Sequence, residues 1–124
     1  MPRRKRNFCE PSNDAFWRYV ELYIAVVQAR GCDPNIGPRL PGLLRGAGLS
    51  DLGMNVVQPA GFDGEAPLIG PITLEATADA VLDAGLATTD ELNATVDDLY
   101  AFVKQDETVV SLPRVVQSWG RRPT

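Results

Sequence analysis

The chain has 124 residues, 44% of them apolar and 23% charged, and 12 Lys and Arg face 16 Asp and Glu for a net charge of -4. This is the make-up of one globular domain, and the acidic excess argues against a nucleic-acid partner. No apolar run is long enough to cross a membrane, and the basic start (Arg3, Arg4, Lys5, Arg6) lacks the apolar stretch of a secretory signal.

Residues 1–12 read as a flexible basic tail and 13–124 as the domain. The tail's charges suit either solvent or phosphate contacts. A helix is expected over 13–30, capped by Asn13 or Ser12 and stopped by Gly31. Phe16, Trp17, Val20, Tyr23, Ile24 and Val27 form a wide apolar stripe, and Tyr19, Leu22 and Val26 add apolar surface on another side. This helix calls for contacts on more than one face. After a loop at 33–38, a short helix runs to about Ala47, with its prolines in the first turn and Gly48 beyond its end. Residues 52–59 switch to period two and predict a strand. Residues 60–71 predict a loop. Thr73 is expected to cap a helix with Leu74, Ala78, Val81 and Leu82 on its core face, closed by Gly85. Thr88 and Glu91 have capping-box spacing and open a helix whose face is Leu92, Val96, Leu99, Tyr100 and Val103. Residues 106–111 predict a turn, and Val115 to Trp119 a last strand. The expected fold is a helix-rich α+β arrangement of about four helices and two antiparallel strands.

The chain contains no histidine, which removes Ser-His-Asp and Cys-His catalysis and imidazole metal sites. Cys9 and Cys32 match neither a redox pair nor a zinc set; a reduced pair is expected, with one disulfide as the alternative. Asp79, Asp83, Asp90, Glu91, Asp97 and Asp98 read as a solvated acidic surface without the spacing of a metal loop. Arg114 is expected to meet a carboxylate or solvent. Gly46 and Gly48 form a G-x-G that ends a helix and does not follow a strand, so it is no nucleotide turn. Two strands alone make a marginal sheet with open edges, and a last strand with Val on both faces suits cover on both sides. The pattern asks for strands from elsewhere.

Asn35-Ile-Gly-Pro-Arg-Leu-Pro-Gly-Leu-Leu-Arg-Gly-Ala-Gly-Leu49, followed by a strand, resembles the late helix-then-strand segment of class I S-adenosylmethionine-dependent methyltransferases. Pro71-Ile-Thr-Leu-Glu-Ala-Thr-Ala-Asp-Ala-Val81 and Gly85-Leu-Ala-Thr-Thr-Asp-Glu-Leu92 are similar to that family's helical insertion, and Ser111-Leu-Pro-Arg-Val-Val-Gln-Ser-Trp-Gly-Arg-Arg-Pro123 to its closing strand. Phe8-Cys-Glu-Pro11 and Arg18-Tyr-Val-Glu-Leu-Tyr23 look like the stretch after its fifth strand. The resemblance implies the last strands of a Rossmann-like sheet, with residues 66–107 as a lid. It implies that Trp17, Tyr19 and Tyr23 line a substrate pocket, the competing reading being that they fill the core. The family's Gly-rich turn and its acidic ribose-binding residue have no counterpart here. The resemblance therefore implies a truncated or split enzyme, inactive alone, with no catalytic, cofactor or metal residue in this chain and S-adenosylmethionine belonging to the intact family. Its implied partners are the missing N-terminal half or a second copy, and a small-molecule acceptor. A cytoplasmic location is expected. The alternative is a non-enzymatic module that dimerises or docks on a partner.

Overall fold

A computed structural model describes residues 7–123; Arg3 to Arg6 lie outside the described residues. Among the described residues, five α-helices and five strands run in the order β1 (Cys9–Glu10), α1 (Asp14–Ala29), α2 (Leu40–Gly46), β2 (Ser50–Val57), β3 (Ala60–Gly61), α3 (Ile69–Ala76), α4 (Ala78–Asp83), α5 (Thr89–Val103), β4 (Val109–Ser111) and β5 (Val115–Arg121), with short 3-10 turns at Gly37–Arg39 and Ala66–Leu68. The α+β class and the antiparallel pairing of the two long strands agree with expectation. The counts do not, because three short strands were missed and one expected helix is two.

The helix ends follow local chemistry. Asn13 caps α1, its side chain accepting from the Phe16 N–H at 3.0 Å. At α5 the Glu91 N–H donates to the Thr88 hydroxyl, and the Thr88 N–H donates to the Glu91 carboxylate, both at 3.2 Å. Gly31, Gly48 and Gly85 follow three helix ends at φ 77°, 93° and 69°. Thr73 caps nothing: α3 begins four residues earlier, with Pro71 in its first turn where a missing N–H costs no hydrogen bond. The helix then breaks at Thr77, whose hydroxyl donates back to the Thr73 carbonyl at 2.9 Å and competes with the backbone ladder.

The core lies where α1 packs on α3, α4 and α5. Phe16, Tyr19, Val20, Leu22, Ile24 and Val26 come from α1, so this helix is buried on more than one side. Leu74, Val81, Leu92, Leu99 and Phe102 meet them, and Val110 of β4 closes the cluster. Arg18 donates to the Leu86 carbonyl at 3.3 Å, and the Tyr100 hydroxyl donates to the Glu75 carboxylate, tying α5 to α3. A small antiparallel sheet, in the order β1-β4-β3, lies beside this core. Residues 7–12 are thus not a free tail: Cys9 and Glu10 pair with Val110 and Val109, and the Phe8 N–H donates to the Ser111 hydroxyl at 2.7 Å. Residues 109–111, expected as a turn, are the central strand of this sheet. Strands of two or three residues are too short for a period to show.

Among the described residues, the second sheet is a ribbon of β2 and β5 alone. Val57 faces Val115 and Gly53 faces Trp119, with a register shift between Ser50 and Gly53. Opposite residues share a face. One face carries Met54, Val56, Val116 and Ser118 and receives the first 3-10 turn. There Gly37 approaches so closely that a Cβ would stand 2.6 Å from Val116 Cγ2. The other face carries Val57, Val115, Asn55, Gln117 and Trp119, all exposed, with Asn55 donating to Gln117 at 3.0 Å. Trp119 lies across Gly53, where a Cβ would meet the indole at 2.6 Å. β5 is therefore not covered on both sides, as its composition had suggested.

Both sheets belong to one bent antiparallel pair. β2 turns into β3 through Gln58 and Pro59, and β4 into β5 through residues 112–114. The bend is held by the Leu112 N–H donating to the Pro59 carbonyl at 2.8 Å and by Gln58 donating to the Leu112 carbonyl at 3.1 Å. The α3–α5 excursion hangs from this neck and packs on α1 to complete the core.

Candidate functional site

A cleft of about 190 Å³ opens where α1 passes the neck. Tyr19, Val20, Tyr23, Ile24 and Val27 form one wall, because the i, i+4 spacing of a helix brings these positions to one side. Asn7 comes from the residues before β1, Pro34 from the loop before α2, and Pro113 and Arg114 from the neck just before β5. For scale, a dry cavity of about 150 Å³ holds a benzene molecule. The wall is mainly apolar with a few polar groups, the usual make-up of a small-molecule site.

The aromatic residues picked out by resemblance divide here. Tyr19 and Tyr23 both line the cleft, and Trp17 does not. Trp17 is half-buried beside the core: it meets Phe16 edge to face at 5.1 Å and its indole N–H donates to the Ser12 hydroxyl at 3.2 Å. Tyr19 also belongs to the core, with its ring against α3 at Gly70, where a Cβ would come within 3.3 Å of it. Burial raises the Tyr19 pKa, Thr73 bonding to the side chain opposes this, and nearby Tyr23 adds to it. The Tyr19 phenol therefore stays neutral through the physiological range. Tyr23 sits at the rim, 37% exposed.

Sequence reasoning did not place Asn7, Pro34 or Pro113 here, and it left Arg114 between a carboxylate and solvent. Arg114 stands at the cleft, exposed, with no ion-pair partner among the described residues. The Pro113-Arg114 pair ahead of a strand was the visible signal, but its meaning depends on the neck bending toward α1. Arg114 and Pro34 also border a broader groove of about 400 Å³ that runs over Ile36, Met54 and Val56 between the 3-10 turn and the ribbon.

Cys9 and Cys32 are both free thiols. Among the described residues no group of three or more metal-ligating side chains stands close enough to hold an ion. No helix of the described chain is long and apolar enough to cross a membrane. In comparisons with known proteins, no family model and no curated protein matches this chain.

Proposed function

We propose that this chain is the substrate-side end of a class I S-adenosylmethionine-dependent methyltransferase-like protein, and that methyl transfer requires a further β-layer carrying the donor. The observation that carries this reading is the state of the ribbon. Of the described residues, none from 28 to 66 and none from 112 to 123 is buried, although these stretches hold α2, β2, β5 and many large apolar side chains. A two-stranded ribbon with two open edges and no buried residue is marginal unless other strands or side chains cover it. An unfinished layer of this kind fits the end of a larger sheet, as do the antiparallel pairing of β2 with β5 and the helical excursion between them.

On this reading the cleft at α1 takes the methyl acceptor; residues 66–107, expected as a lid, give the cleft none of its lining and pack into the core against α1 instead. Methyl transfer needs donor and nucleophile held in line with water excluded, which asks for shape more than for a reactive side chain. Calorimetric titration of the chain with S-adenosylmethionine should give no heat. Adjoining coding sequence, read in every frame, should specify a Gly-rich strand–turn–helix. Tight donor binding by the chain alone would overturn the reading.

The same ribbon favours a second reading, a non-enzymatic module that pairs with another copy of itself. Val56, Val57, Val115 and Trp119 are all exposed on it. Sedimentation equilibrium separates the two: a stable dimer at micromolar concentration supports self-pairing, and a monomer supports the methyltransferase-type segment.

A further inference from the structure

The polar groups of the cleft converge on one kind of ligand. Among the described residues, Arg114 is the only charged residue on its wall. Asp33, next to Pro34 in the chain, is already engaged: Arg39 pairs with it at 3.0 Å and the Asn35 N–H donates to it at 2.8 Å. Asn7 is only 7% exposed and lines the same cleft, so its carboxamide brings a neutral donor and acceptor to the wall. Opposite these donors lie Val20, Ile24 and Val27.

We infer that the cleft binds a small carboxylic acid with an apolar body. The carboxylate sits at Arg114 and accepts an N–H from the Asn7 carboxamide. The body lies along Val20, Ile24 and Val27, and the Tyr23 hydroxyl closes the rim as a further donor. A phosphate is served less well by the described residues, because it carries close to two charges at neutral pH and meets one guanidinium among them. That the acid is the methyl acceptor rests on the methyltransferase reading above; that it binds rests on the cleft alone.

Phenylacetate and its neutral counterpart phenylacetamide are the probes, titrated into the full chain and followed by amide NMR shifts. Phenylacetate should bind at least about tenfold more tightly, as expected for hydrogen bonds to a charged group, with shifts confined to α1, Asn7 and residues 113–115. Arg114→Gln, at an exposed position, should weaken phenylacetate about tenfold and leave phenylacetamide unchanged. Asn7→Asp, nearly the same shape, should weaken it similarly through like-charge repulsion. Equal binding of the two probes, phenylacetate binding that survives both variants, or no binding to the folded chain would each overturn the proposal. Phenylacetate that binds but gains no methyl group when S-adenosylmethionine and a donor-bearing half are supplied would sink the methyltransferase reading and leave the binding site standing.

Discussion

At Gly53 the absence of a side chain decides where a tryptophan rests. The Trp119 indole occupies the space that a Cβ would take, so a cross-strand aromatic covers a glycine that would otherwise weaken the ribbon. Gly53→Ala should push the indole into water. In a Trp17→Phe background, Trp119 emission should shift to the red while the unfolding free energy changes by under about 1 kcal/mol, because a half-exposed ring can swing aside. The two thiols differ in the same local way. Burial raises the pKa of Cys9, the Asn13 backbone bonding to the sulfur opposes this, and Glu10 adds to it, whereas Cys32 is exposed. Iodoacetamide at pH 8 should therefore label Cys32 well before Cys9, and peptide mapping of a time course reads the order.

Elements with strong periodic patterns were legible in the sequence, and those made by long-range pairing were not. α1, α2, α5, β2 and β5 could be read because each carries its own stripe or alternation and its own stop. β1, β3 and β4 carry two or three residues each; they exist because the Phe8 to Glu10 stretch and the neck meet far from each other in sequence. The break at Thr77 was hidden because Leu74, Val81 and Leu82 keep a helical period across it. Two of the cleft's aromatics could be found from α1, and its polar end could not, since Asn7 and Arg114 stand at opposite ends of the chain.

The capping box at α5 gives this scale its own test. Thr88→Ala should cost about 1 kcal/mol at neutral pH, read by urea unfolding. The Glu91 carboxyl pKa is lowered, first by its bond with the Thr88 side chain and then by the Thr88 backbone N–H. A lowered folded-state pKa contributes stability above the unfolded value that is lost as pH falls through the folded one. The gap between parent and variant should therefore narrow from pH 6 toward about pH 3, and it should not close, because the Glu91 N–H still donates to the Thr88 hydroxyl in the parent.

The molecule as a whole has two packing regions joined by the neck. One is the helical core of α1 and α3–α5 with its small sheet; the other is the ribbon with α2, which holds no buried residue. Leu99 is 1% exposed at the centre of the first. Leu99→Ala should cost roughly 2–5 kcal/mol. Hydrogen exchange should show protection lost together in α1, α3 and α5. The β2–β5 amides should exchange at the same rate in parent and variant, since few contacts link them to that core. Coincident loss of protection in both regions would show that the neck transmits folding as well as chain direction.

The neck also bears on how such a chain can change over generations. The excursion from residue 62 to residue 108 leaves and returns through strands that pair Ala60 with Ser111. Its two ends are therefore already neighbours, and recombination can swap or resize that cassette without altering the spacing of the long strands. Diversity of length should concentrate there, while Pro113 and Arg114, at the hinge point of the exchange, keep their places.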